Sequence, residues 1–287
     1  MNSSTQDMQL TMILFVCMFF FSACAGLPHR ISEEQKECRL SSEAKAIISI
    51  LKNQNHNLKT IKGVGKITFL ESEEKEMTTR IAWVASTPDK IRITLTSVSG
   101  HPMISAASDG QWFYFVSHAR GNFYKKRPTD FNMKRFFSIS VKSEDMVNLL
   151  LGRIPVVKYD STDLIEDRSL KDRSGKAFES AEVSSLNKDI KGNKNSCVLL
   201  LKNKWGNVRE KIYLNDRQDA RKIEMFDSSG ALVYRVELLR MQEIKSYRVP
   251  YRLKVSNDDG AGFQLDLDRY WADAKVSPSV FTLTPPK

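Results

Sequence analysis

The chain has 287 residues, of which 41% are hydrophobic and 27% charged. That composition excludes a disordered or fibrous polypeptide and leaves room for one large domain or two small ones. The net charge of +10 favours anionic partners, but no Lys/Arg run exceeds Lys125-Lys126-Arg127 and no nucleic-acid motif accompanies the charge, so no nucleic-acid partner is expected.

The first element is an apolar run from Leu10 to Phe21. At about 12 residues it is too short for a bilayer, which needs roughly 20. It leads into Ser22-Ala23-Cys24, the small-residue exit at which a bacterial secretory signal is cut. Phe21-Ser22-Ala23-Cys24 resembles a lipobox, with Phe21 where Leu, Val or Ile is usual and with Asp7 but no Lys or Arg ahead of the run. The resemblance implies that residues 1–23 are a lipoprotein signal peptide and that Cys24 is the lipidated mature N-terminus. It also implies a tether over 24–31 and one domain over 32–287. Ala25 and Gly26, in place of the Asp typical of inner-membrane retention, imply a periplasm-facing anchor in the outer membrane. A plain secretory signal with a chance cysteine is the alternative. Loss of Asp7 with the signal leaves a charge of +11. Of the four cysteines, Cys17 leaves with the signal; Cys38 and Cys197 remain, either as a disulfide or as two thiols in an oxidising compartment.

Ser32 and Gln35 have capping-box spacing, and Ala44, Ile47, Ile48 and Leu51 recur at helical intervals, so an amphipathic helix is predicted to about Asn55. From Ile61 the period becomes two. Ile67 and Phe69, then Ile81, Trp83 and Ala85, then Ile91, Ile93 and Leu95 each give a strand one apolar face. Short links at Thr87-Pro88-Asp89, Ser99-Gly100-His101-Pro102 and Ser108-Asp109-Gly110 make the meander antiparallel. Trp112–Val116 and Phe123–Lys126 extend it. A turn of helix is predicted over Phe131–Phe137 and a second, very apolar helix over Met146–Leu151, stopped by Gly152 and Pro155. Leu164–Lys191 is charged and weakly patterned, consistent with loops and one or two edge strands. Strands resume at Cys197–Leu201, Val208–Leu214, Ala220–Phe226, Leu232–Leu238, Tyr251–Val255 and Phe263–Leu267, the last two joined by the hairpin signal Asn257-Asp258-Asp259-Gly260. About eleven strands and a few helices predict an α+β domain: one curved antiparallel sheet, forming an incomplete β-barrel, with helices as a lid.

No catalytic constellation stands out. His29, His56, His101 and His118 lack metal-ligand spacing, and there is no Gly-x-Ser-x-Gly, His-Glu-x-x-His or phosphate loop. Asp266 and Asp268 alternate with Leu265 and Leu267, which points both acids to solvent. Neither an enzyme nor a cofactor or metal is expected. The apolar face of the meander and the apolar middle helix can enclose either a packed core or a cavity for a greasy ligand, and periodicity does not separate the two.

The order helix, meander, helical insertion, second meander resembles the LolA/LolB-like family of lipoprotein carriers and receptors. Thr87-Pro88-Asp89-Lys90-Ile91-Arg92-Ile93 is similar to its P-x-K-hydrophobic-R strand. Ser108-Asp109-Gly110-Gln111-Trp112-Phe113-Tyr114 is similar to its D-G hairpin, and Leu149-Leu150-Leu151-Gly152-Arg153-Ile154-Pro155 to the L-L-G-x-x-P segment of LolB-type lipoproteins. The resemblance, from about Glu43 to Leu283, implies a half-barrel whose cavity holds acyl chains or lipoprotein clients, with a periplasmic carrier as a further partner and lipoprotein or lipid localisation as the role. The expected lining is Trp83, Ile91, Ile93, Leu95, Phe113, Phe115, Met146, Leu149, Leu150 and Leu265. The delivery hairpin of LolB-type receptors maps to Val98-Ser99-Gly100-His101-Pro102, whose tip is Ser99 rather than a bulky apolar residue. The alternative is an assembly lipoprotein that binds a protein or polyanion through its basic surface around a packed interior.

Overall fold

The computed structural model describes residues 33–70, 76–128, 134, 139–166 and 197–286, with side chains from Ser42 onward. The chain divides into Met1–Arg39 and Leu40–Lys287; the architecture below is that of the second unit. Residues 1–32, and with them Cys24, the signal and the tether, lie outside the described residues, as do the side chain of Cys38 and nearly all of the predicted turn at Phe131–Phe137.

Helix α1 (Glu33–Asn53) ends two residues before the expected stop. Its Ala44, Ile47, Ile48 and Leu51 are buried in the main core. Six strands follow: β1 (Thr60–Leu70), β2 (Met77–Ser86), β3 (Lys90–Thr96), β4 (Pro102–Ser108), β5 (Phe113–Ser117) and β6 (Asn122–Lys126). Helix α2 (Ser143–Leu150) comes next. The second series is β7 (Ser161–Glu166), β8 (Cys197–Lys202), β9 (Val208–Leu214), β10 (Ala220–Phe226), β11 (Leu232–Ile244), β12 (Tyr247–Ser256) and β13 (Gly262–Ala272), with a 3-10 helix over Pro278–Phe281.

The strands form a single 13-stranded sheet in the order β6-β5-β4-β3-β2-β1-β13-β12-β11-β10-β9-β8-β7. Every neighbouring pair whose register is defined is antiparallel. Two meanders are therefore fused through β1 and β13. The edges are β6 and β7, which are consecutive in the chain but unpaired with each other, so the barrel is open there. The crossover between them carries α2 over the inner face, where it packs on β2, β3 and β12.

The described residues hold thirteen strands against the eleven read from the pattern, and β4 and β7 are the two added. β4 has small residues and no alternation, because it is buried on both faces. Ala106 joins the main core, while Ala107, Tyr114, Val116 and Leu283 form a small cluster on the outer side, where the C-terminal tail lies. The Arg92 guanidinium fixes that tail through the Val280 carbonyl, 3.3 Å away.

A register break in β13 sets the inner face near its end. Gly65 pairs with Leu267 but Val64 with Arg269, so Asp268 is the extra residue of a β-bulge. Parity flips there: Leu265 and Leu267 point inward before it, Tyr270 and Ala272 after it. A Cβ on Gly65 would fall 2.0 Å from the Asp266 carbonyl oxygen, so glycine alone permits this approach. The expectation that Asp266 and Asp268 both face solvent holds for the exposed Asp268, whereas Asp266 is half-buried and ion-paired across the strands to Arg252.

Candidate ligand-binding interior

The inner face of β1, β2, β3 and β13 and the underside of α2 enclose a void lined by Ile67, Ile81, Trp83, Ile93, Met146, Leu150, Phe263 and Leu265. Five of the ten expected lining residues meet there: Trp83, Ile93, Met146, Leu150 and Leu265. Ile91, Leu95, Phe113 and Leu149 are buried elsewhere in the same core, and Phe115 is half-buried against it. Ile67, Ile81 and Phe263 also line it; their alternation marks them as inward-facing, but nothing in the sequence sets them beneath α2. With α2 in place the void measures about 10 Å³, the lower limit for a single water.

Trp83 forms one wall. Its indole lies over Gly63, the residue directly opposite on β1, where a Cβ would come within 2.0 Å of the ring. The Trp83 indole N–H is buried and has no hydrogen-bond partner among the described residues, an uncommon condition for a core tryptophan.

A polar clasp fixes the C-terminal end of α2. Asn55, in the left-handed conformation (φ 53°) just past α1, donates through Nδ2 to the carbonyls of Leu151 (2.8 Å) and Arg248 (2.7 Å). The Arg153 guanidinium donates to the carbonyls of Asn55 (3.0 Å), His56 (3.1 Å) and Leu58 (2.6 Å). Tyr270, turned inward by the bulge, donates its hydroxyl to the Leu150 carbonyl at 3.0 Å. Gly152 (φ 69°) sits between these groups, and a Cβ there would lie 2.3 Å from the Arg248 carbonyl oxygen. The Leu-Leu-Gly-x-x-Pro segment is thus the anchor of α2, and its glycine and arginine have steric and hydrogen-bonding roles. Burial lowers the pKa of Arg153 and raises that of Tyr270.

The first turn of α2 is held differently. The Tyr234 hydroxyl on β11 donates to Asp145 Oδ2 at 2.9 Å. Nearby, Glu210 of β9 is fully buried. Its Oε2 accepts the Val157 N–H of the crossover at 2.9 Å, while Oε1 has no hydrogen-bond partner among the described residues. Burial pushes the Glu210 carboxyl up to about 8, partly offset by the Val157 N–H and reinforced by the charge of Asp145. Sequence reasoning passed over Glu210, although it stands in phase with the inward-facing Ile212 and Leu214.

The Asp-Gly hairpin is a structural device. Asp109 Oδ1 accepts the N–H groups of Gln111 (2.9 Å) and Trp112 (2.7 Å), and Oδ2 accepts the Tyr114 hydroxyl (2.8 Å). Burial alone would raise the Asp109 carboxyl, but these donors outweigh it and hold it below the usual value; burial and Asp109 push Tyr114 up to about 12. On the β3–β4 turn Val98 is wholly exposed. Cys197 is half-buried at the start of β8.

No family model matches the chain, and no curated protein is similar to it in sequence. Solved structures resemble it closely in architecture. A candidate outer-membrane lipoprotein-sorting domain from Vibrio parahaemolyticus has a TM-score of 0.56 at 13% identity, covering 84% of this chain and 97% of that one. A DUF1329 family protein from Desulfovibrio piger gives 0.55 at 11%, covering 85% and 97%. A LolA superfamily protein from Nitrosomonas europaea gives 0.52 at 12%, covering 84% and 97%. The chain has the LolA/LolB-like fold.

In this LolA-like half-barrel the apolar interior beneath α2 is the candidate ligand site. Among the described residues no three His, Cys, Asp or Glu side chains come together as a metal site, and no helix is long and apolar enough to cross a membrane.

Proposed function

We propose that this protein is a lipid-anchored carrier or receptor that holds an acyl chain, free or on a lipoprotein client, in the half-barrel interior. The observation that carries this reading is the void beneath α2, apolar throughout except for the unpartnered indole N–H of Trp83. A buried donor left unpaired costs about 1–3 kcal/mol. An acyl ester or carboxyl oxygen entering among the aliphatic side chains would satisfy it, while the chain displaces Met146 and Leu150 of α2. The likeness to a lipoprotein-sorting domain and to a LolA superfamily protein supports a lipoprotein or lipid client. Binding and release require no bond chemistry, so the reading is non-enzymatic.

The address follows from Cys24: lipidation there, after removal of residues 1–23, places the domain on the periplasmic side of the outer membrane. A periplasmic carrier is then the partner that brings the client.

Two experiments test the reading. The Cys24→Ala full chain is incubated with a fluorescent fatty acid and analysed by native mass spectrometry; a bound acyl species supports it, and a protein that stays empty and refuses the probe sinks it. Fractionation of cells expressing wild type and Cys24→Ala tests the anchor, with wild type expected in the outer membrane and the variant in the soluble periplasmic fraction.

The small void favours a second reading, an assembly lipoprotein with a filled interior that binds a polyanion or protein through its basic surface. Partner retention that weakens with salt, with no acyl chain bound, would select it.

A further inference from the structure

The outer face at the middle of the sheet carries a charge pattern that the apolar interior does not use. β1 and β13 are the neighbouring strands at the centre of the order, far from the open edges β6 and β7. Directly opposed residues share a face, so the register sets their outward side chains side by side. Lys66 of β1 stands opposite Arg80 of β2 on one side and Asp266 of β13 on the other. Further along the same face of β1, Val64 is opposite Arg269 and Lys62 is opposite Trp271. Lys66, Arg80 and Arg269 are exposed, and Trp271 is 47% exposed. We propose that this outer face of β13, β1 and β2 is a docking surface for an anionic phospholipid bilayer, with Lys62, Lys66, Arg80 and Arg269 meeting headgroup phosphates and Trp271 seated at headgroup level. The proposal rests on the membrane-anchored reading and assigns the face that the tethered domain turns to the bilayer.

The decisive feature is the Lys66–Arg80 pair. Like charges directly opposite each other destabilise a sheet, and the acid next in the row does not neutralise them. Asp266 Oδ1 is ion-paired to Arg252, and its Oδ2 accepts the Gln264 amide at 3.0 Å. Among the described residues, Lys62, Lys66, Arg80 and Arg269 make no ion pair. Asp268, exposed at the bulge, is the other acid of this part of β13. The neighbouring bases are occupied: Lys254 faces Glu237 of β11, and Arg92 donates to the Val280 carbonyl. An uncompensated cluster of this kind is complementary to an array of phosphates, because the charges are spread over two strands and alternate with the short side chains of Val64 and Ala82. Trp271 decides between a soluble polyanion and a bilayer. A half-exposed indole beside Lys62 and Arg269 has the apolar ring and polar N–H that suit the headgroup boundary, where basic side chains snorkel to phosphate. Docking by the central strands leaves both open edges, β6 and β7, free of the bilayer.

The test is binding of the Cys24→Ala full chain to vesicles of phosphatidylglycerol and, as a control, of neutral phosphatidylcholine. In that background Lys66→Gln with Arg80→Gln should weaken binding to the anionic vesicles by about 20-fold, roughly fivefold for each charge. Lys45→Gln with Lys126→Gln removes the same charge from exposed positions on α1 and β6 and should weaken it far less. The fluorescence of Trp271, taken as the difference from Trp271→Phe, should shift to the blue on the anionic vesicles and be quenched by brominated lipid. Equal weakening by the two double variants, or a Trp271 signal indifferent to the vesicles, overturns the docking face. Retention on dextran sulfate that depends on Lys66 and Arg80, without vesicle binding, assigns the face to a soluble polyanion and overturns the bilayer. Removal of the opposed pair should not lower the thermal midpoint; a lowered midpoint shows that the pair is compensated within the protein and overturns the premise. Peripheral docking is lost at high salt and lipid anchoring is not, which keeps the two failures apart. A Cys24→Ala protein that fractionates as wild type after a salt wash rejects the anchor, whereas absence of vesicle binding rejects the face.

Discussion

Glu210 makes a prediction about stability. Its carboxyl rises from the ordinary 4.5 to about 8 on folding, so the folded state holds a proton that the unfolded chain releases. The sign follows: its stabilising contribution is fully present below the ordinary value and is lost as pH rises through about 8, at up to about 1.4 kcal/mol per pH unit. Glu210→Gln should flatten the decline of the thermal midpoint across that window, read by calorimetry at a series of pH values. Glu224 has the opposite sign. Burial would raise it, but the Tyr213 hydroxyl, Arg235 and Lys222 outweigh burial and lower it, so its contribution is present at neutral pH and lost on acidification. Gly152 is a steric case. Its positive φ and the 2.3 Å approach of its missing Cβ to the Arg248 carbonyl mean that Gly152→Ala should cost about 2–4 kcal/mol, measured by denaturant unfolding.

At the scale of elements, the bulge in β13 and the clasp on α2 are one device. Tyr270 reaches the Leu150 carbonyl only because Asp268 shifts the parity of the strand. Deletion of Asp268 should remove the bulge and restore simple alternation with Leu267, Tyr270 and Ala272 still inward, because Arg269 already pairs with Val64 and Tyr270 with Gly63. The expected result is that residues 148–153 keep their protection by hydrogen exchange, and loss of that protection would show that the bulge itself, and not only the parity it sets, positions Tyr270. Arg153→Ala should weaken the clasp itself. It frees three carbonyls near the surface and should cost about 2 kcal/mol, with increased exchange confined to the α1–β1 loop and the end of α2. The alternation of Phe263, Leu265 and Leu267 was readable in the sequence and correct as far as Leu267. Beyond it, nothing local announces that Asp268 is extra, because a bulge is fixed by the register of the partner strand. Likewise β4 was unreadable as a periodic strand, since the tail that covers its outer face arrives from more than 170 residues away in the chain.

At the largest scale, the described residues of Leu40–Lys287 form two antiparallel meanders fused at β1–β13, with α2 of the crossover between the two open edges packed over the inner face. That arrangement makes α2 both roof and wall of the void, so filling the void and removing its polar group should have different effects. Leu150→Trp should block acyl binding by occupying the space, at a stability cost of about 1–3 kcal/mol from overpacking. Trp83→Phe should leave the far-ultraviolet spectrum unchanged but weaken fatty-acid binding by about 5–10-fold, the worth of one hydrogen bond, as read by fluorescence titration.

The sequence by itself determined the α+β class, the antiparallel meanders and most inward-facing positions, because period, short links and turn residues are local properties of the chain. The helical insertion and its glycine stop were legible for the same reason. Only the tertiary structure decided which apolar residues meet beneath α2, why Asn55 and Arg153 matter, and that Glu210 is enclosed with an unpaired oxygen. Those facts depend on strand order, one register shift and the path of the crossover, which place residues far apart in the chain within hydrogen-bonding distance. Burial then converts an ordinary glutamate and an ordinary tryptophan into groups whose unmet hydrogen bonds carry free energy.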